Sequence, residues 1–173
     1  MPPIGYINWE ERLTIYHDNR QMMSKEDYIR ELVAAIEGGD EETIRGILAD
    51  EVTQFGTDHS LPQDRVVESM LNLHRSLAGM EYTIENLWHD GGTYVLHLDL
   101  TGSFEEPFEF RTGPDEDPVT AEPTGEEVSG SFVYLLRFDG DGNLEEMVGY
   151  DDSQVMLGMG VLEYTSDVEA AME

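Results

Sequence analysis

From Ser24 to Leu77 the apolar residues recur every three or four positions, and from Met80 to Tyr150 every second position, so the chain reads as helices followed by strands. Ser24 caps the first helix, with Asp27 three residues on as a variant of the capping box, and Tyr28, Leu32, Ala35 and Ile36 share one face. Gly38-Gly39 stops it. Asp40 or its neighbour starts a shorter helix carrying Ile44, Ile47 and Leu48, and Ala49 to Phe55 leads out as a short extended piece. After a polar loop with Pro62, Asp64 is the expected cap of a third helix, with Val66, Val67, Met70 and Leu73 on one side and Gly79 at its end.

The period then changes to two. Met80 to Trp88 reads as a strand, Asp90-Gly91-Gly92 as a turn, and Tyr94, Leu96, Leu98 and Leu100 alternate with Val95, His97, Asp99 and Thr101. Thr112 to Glu127, with three prolines, is the expected loop or hairpin arm between strands. Val128 to Phe138 is the strongest strand, Asp139 to Asn143 a turn, Leu144 to Tyr150 the last strand, and Ser153 to Met159 a short helix. Residues 1–23 keep no clear period and read as an N-terminal extension, 24–160 as one domain, and 161–173 as a tail.

Helices first and a strand meander afterwards imply an α+β domain, with helices against one face of a curved antiparallel sheet. Both faces of the Val128–Phe138 strand are apolar, since Val133 and Leu135 back onto Phe132 and Tyr134. A sheet covered on one side only is polar on the other, so the second face needs a cover. A homodimer through the sheet is the expected cover, and the N-terminal extension is its competitor.

Charge adds the setting. The 173 residues carry 38 Asp or Glu against nine Lys or Arg, a formal net charge of −29, and Lys25 is the only lysine. The acids are threaded between periodic apolar positions, so a fold is wrapped in carboxylates. Such a surface is self-repelling at low salt and screened at high salt, which points to the cytoplasm of a salt-loving organism. No basic stripe is available for nucleic acid or anionic membrane, no apolar run approaches a membrane span, and the start lacks the pattern of a secretory signal. Without cysteine, thiolate nucleophiles and disulfides are excluded.

Candidate chemistry is sparse. No glycine-rich phosphate loop occurs, and the five histidines show no HExxH spacing. Asp139 to Asn143 has the flavour of a calcium loop, but turn chemistry explains it, so neither metal nor cofactor is expected. Asp151 falls on the strand face of Met147 and Gly149, where an inward carboxylate in an apolar pocket suits a general acid or base. Its bland alternative is to cap the helix near Ser153. Tyr82, Trp88, Tyr134 and Met147 are candidate pocket linings, or simply core. His74 sits in helical register with Met70 and Leu77, at the pocket or as a satisfied histidine. His59 is either at the pocket mouth or exposed on its loop. His97 shares the Val95 and Asp99 face and belongs to the outer side.

Several segments, in order, resemble one family. Glu37-Gly38-Gly39-Asp40 followed by Ile47-Leu48-Ala49-Asp50-Glu51-Val52 is similar to the opening of the SnoaL-like proteins of the NTF2-like superfamily. Leu98 to Phe104 resembles their mid-sheet strand and Thr-Gly turn, and Glu122-Pro123-Thr124-Gly125 their approach to the long strand. Leu135 to Phe138 ahead of Gly142 to Glu146 continues the register, so the likeness spans roughly Ser24 to Gly160. It implies a cone of curved sheet around helices, often dimeric. In the polyketide cyclases it also implies a cofactor-free aldol closure in which an aspartate of the last strand moves the proton, a position matched here by Asp151. Glu146 and Met147 stand where the family usually has His-Trp, and His97 where it often has arginine. The expected function is a cyclase, lyase or isomerase acting on a small apolar carbonyl or polyketide-like ester in a central cavity. A non-catalytic binding or dimerisation module, and a hydrolase, are the alternatives.

Overall fold

The computed structural model describes residues 23–54, 60–110, 117–151, 155 and 159. The N-terminal extension and the tail lie outside the described residues. Three helices come first: α1 (Lys25–Gly38), α2 (Glu41–Ile47) and, after strands β1 (Leu48–Gln54) and β2 (Ser60–Pro62), α3 (Gln63–Ser76). The strands β3 (Leu77–Asp90), β4 (Thr93–Phe104), β5 (Phe108–Phe110), β6 (Val119–Ala121), β7 (Glu127–Phe138) and β8 (Leu144–Asp151) follow.

Local chemistry sets the helix ends. Ser24 and Asp27 form the reciprocal capping box, Gly39 closes α1 in the left-handed region at φ 68°, and Asp40 caps α2 through the Thr43 N–H at 3.2 Å. The third helix departs from expectation. It starts at Gln63 behind Pro62 with no side-chain cap, and Asp64 sits inside the first turn, paired with Arg45. It also ends at Ser76 rather than Gly79, because Leu77 is already extended and opens β3.

The main sheet runs β2-β1-β8-β7-β4-β3, antiparallel except for the parallel pair β1–β8, while β5 and β6 pair as a separate small hairpin. Its second strand, β6, falls within the Thr112–Glu127 stretch expected to be a loop or hairpin arm, while β5 precedes that stretch. Ser76 Oγ donates to the Pro107 carbonyl at 3.0 Å, and Phe108 is buried, so its base is anchored.

Paired residues on neighbouring strands share a face, and the register sorts β3, β4, β7 and β8 into rows. On the inner face, Leu87, Leu96, Tyr134 and Gly149 form one row, and Ile84, Leu98, Phe132 and position 151 the next. On the outer face, Trp88, Val95, Leu135 and Val148 form one row, and Asn86, His97, Val133 and Tyr150 another. The inner rows meet the helices. Ile29, Leu32, Ile44, Val66 and Val67 pack with Leu96, Leu98 and Leu136 in one buried cluster. A second cluster at the other end gathers Leu77, Leu100, Phe104, Val128, Val155 and Met159. The expected terminal helix is represented there by a turn in which the Met159 N–H donates to the Val155 carbonyl at 2.9 Å.

Lys25 ties α1 to the β7–β8 turn. Its Nζ donates to the Gly142 carbonyl at 2.8 Å and lies 4.6 Å from the centre of the Phe138 ring. Within that turn, one Asp139 carboxylate oxygen accepts the Asp141 and Asn143 N–H groups at 2.9 and 2.8 Å. The acidic stretch that looks like a calcium loop is thus knitted by its own backbone.

Candidate functional site

The two buried clusters meet at a seam of residues that pack against both. Tyr82 and Ile36 pack against both clusters, and Phe132 reaches from the second cluster toward Tyr134 in the first. The Phe132 and Tyr134 rings stack with centroids 6.1 Å apart and planes 12° off parallel. Both stand on alternate positions of β7, so that strand supplies this stacked pair.

Tyr82 is held from the helix side. Its backbone N–H, on the open edge of β3, donates to a Glu37 carboxylate oxygen at 2.8 Å. Burial, and then the Glu37 charge, pushes the Tyr82 phenol well above the ordinary tyrosine range, so it stays protonated and can serve as a neutral hydrogen-bond donor. No local pattern marks Glu37, because its partner is 45 residues away. Phe132, whose alternation marks it as strand core, belongs to the same seam.

The last strand brings Asp151 to this region by backbone register. Position 151 pairs with Phe132 and position 149 with Tyr134. The Asp151 side chain, like all of His59, lies outside the described residues. Met147 pairs with Leu136 and is buried in the first cluster, where it packs as core.

Trp88 departs from the expected lining. A bulge between Ile84 and Asn86 inserts Glu85 without a partner on β4, and the alternation changes face. Leu87 and His89 therefore join the inner rows, while Trp88 pairs with Val95 on the outer face and is 49% exposed. His97 pairs with Val133 on that same outer face, as its spacing predicts.

His74 sits apart from the seam residues Phe132 and Tyr134, against the end of α1. A Cβ added at Gly39 would lie 2.6 Å from its Nε2, and its Nδ1 is buried without a hydrogen-bond partner among the described residues. Gly39→Ala is expected to cost about 1–2 kcal/mol from the left-handed backbone alone, before the ring is displaced. A thermal melt of that variant checks it, with a lowered midpoint as the expected result.

Two open surface hollows, of about 420 and 490 Å³, lie elsewhere, near the start of β1 and the Asp139 turn, and share Ala49, Glu51 and Asp139. Neither touches the inner rows. No helix among the described residues is long and apolar enough to cross a membrane.

No family model and no curated relative matches the sequence. Solved structures do match. AclR of Streptomyces galilaeus, classed as a hydroxylase, is similar at 18% identity and TM-score 0.63, over 86% of this chain and 88% of its own. A protein of Jannaschia sp. CCS1, classed as a SnoaL-like polyketide cyclase, is similar at 18% identity and TM-score 0.60, over 76% and 90%. An NTF2-like protein of Burkholderia thailandensis is similar at 15% identity and TM-score 0.58, over 80% and 98%. Identities this low speak for the backbone alone, and hydroxylase and cyclase share it. Helices packed on one face of a curved sheet, the row register and these likenesses together give the chain the NTF2-like fold.

Proposed function

We propose that the protein is a cofactor-free, SnoaL-like catalyst of an intramolecular aldol-type closure, or of the related isomerisation, on a small apolar carbonyl compound. One observation carries this reading. In a chain with 38 acidic residues, the two inner rows Leu87-Leu96-Tyr134-Gly149 and Ile84-Leu98-Phe132-Asp151 contain a single acidic position, 151. A lone carboxylate position in an apolar row is costly unless it has a task or a partner.

The chemistry follows from that placement. The Asp151 carboxylate takes a proton from the carbon between two carbonyl groups, leaving an enolate. The enolate carbon bonds to a further carbonyl carbon, remote from these two in the same substrate, whose π pair moves onto oxygen. The alkoxide recovers the proton from Asp151, so no cofactor is consumed. The neutral Tyr82 phenol is the candidate donor to the enolate oxygen. Binding both reacting groups in one molecule supplies much of the acceleration.

Exchange of the acidic carbon-bound hydrogen tests this without knowledge of the natural substrate. In deuterated buffer, the protein is expected to speed deuterium incorporation into apolar β-keto esters, followed by proton NMR. A rate equal to buffer across a chain-length series overturns the catalytic reading. It would favour the second one, a binding module, which Val155 and Met159 support by filling the far cluster at 3% and 1% exposure.

The reading extends to a homodimer through the outer face. None of the outer-row side chains belongs to either buried cluster, and Trp88 and Tyr150 stand 49% and 62% exposed.

A further inference from the structure

β3 is an edge of the main sheet, so the amides on its far side face no partner strand. Its ladder with β4 is also broken twice, between Ala78 and Glu81 and between Ile84 and Asn86. Glu81 to Ile84 is therefore a short paired segment with a bulge at each end, and Tyr82 stands within it. Among the described residues, one hydrogen bond reaches this segment from outside the sheet, the 2.8 Å bond from the Tyr82 N–H to Glu37.

Glu37 is poorly placed for its own helix. It stands in the last turn of α1, where the helix dipole disfavours an acid, and no cation pairs with it among the described residues. Its partner Tyr82 packs its ring against both buried clusters, and the Tyr82 hydroxyl makes no hydrogen bond among the described residues. A phenol among apolar side chains is stabilised by an acceptor, and a bound carbonyl or enolate oxygen supplies one. We infer that Glu37 is a positioning residue: by holding the Tyr82 backbone between the two bulges, it sets where the phenol meets the enolate oxygen of the substrate. This rests on the proton-transfer reading above. Glu37 touches no reacting atom and acts through Tyr82. A catalytic group misplaced by about 1 Å can cost about 10²-fold in rate, so one anchoring bond can matter.

Carbon–hydrogen exchange of apolar β-keto esters and amide exchange of the nitrogen-15-labelled full chain test this together. Tyr82→Phe removes the donor and is expected to slow the promoted carbon–hydrogen exchange about 10²-fold. Glu37→Ala is expected to slow it at least about tenfold, and Glu37→Gln, whose amide oxygen still accepts the Tyr82 N–H, to recover most of that loss. The double variant Glu37→Ala/Tyr82→Phe is expected within about twofold of Tyr82→Phe alone, because no phenol is left to position. A loss through folding would persist in that background, so the comparison holds even if Glu37→Ala melts lower. The Tyr82 amide is expected to exchange at least about tenfold faster in Glu37→Ala than in wild type. Full activity in Glu37→Ala or Tyr82→Phe overturns the inference and leaves Asp151 as the base. A double variant slower than Tyr82→Phe, or a Tyr82 amide already unprotected in wild type, overturns it as well. A wild-type chain that promotes no exchange overturns the catalytic reading itself, and this inference falls with it.

Discussion

Asp151→Asn is expected to lower the protein-promoted hydrogen exchange by about 10²–10⁴-fold while the melting midpoint holds. The substitution keeps the shape and removes the basic oxygen. It also separates the two roles open to this residue. Asn caps a helix about as well as Asp, so a purely capping Asp151 would tolerate the change. Asp151→Ala completes the comparison, since a cap lost to alanine costs about 0.5–2 kcal/mol and would show in the melt. Exchange at the wild-type rate in Asp151→Asn would remove the residue from the mechanism. Loss of exchange with an unchanged melt would leave proton transfer as its role.

Phe104→Ala is expected to destabilise the fold by about 3–5 kcal/mol, a large share of the 5–15 kcal/mol typical of a domain. Phe104 is fully buried in the second cluster and pairs with Leu77 across β3 and β4. Its backbone also joins the segment ahead of β7, donating to the Glu126 carbonyl and accepting from the Gly125 N–H at 3.0 and 2.8 Å. Truncation therefore opens a cavity where two connections of the sheet converge. For a chain of this size the melting midpoint should fall by roughly 6–20 °C, read by calorimetry. Since Tyr82 and Phe132 pack against this cluster, exchange activity should also drop in whatever fraction stays folded.

The sequence pattern carried the fold a long way, for physical reasons that differ by element. The alternation along β4, β7 and β8 is continuous, so inner and outer faces were legible residue by residue, and Tyr134 and Met147 face inward as that period requires. Ser24 and Asp40 announce their helices because a cap is a local hydrogen bond. Trp88 departs from the alternation because the bulge at Glu85 occurs with neither glycine nor proline to mark it. One unpaired residue is enough to turn over everything after it. Asp64 is an acceptable capping type for α3, whereas the chain starts that helix behind Pro62 and pairs Asp64 with Arg45. The parallel pairing of β1 with β8 and the Glu37 contact with Tyr82 join distant segments, and no local period encodes them.

The position of β8 has a consequence for biosynthesis. This strand is the last of the main sheet to be translated, yet it is hydrogen-bonded on one side to β1 and on the other to β7. While the ribosome is still short of residue 144, the β1–β2 pair has no route into the rest of the sheet. Closure of the sheet is thus a late step dominated by long-range pairing, which is intrinsically slow. Until it occurs, the nascent chain exposes the edges of both β1 and β7, and its crowd of carboxylates is what keeps those edges from finding a neighbour.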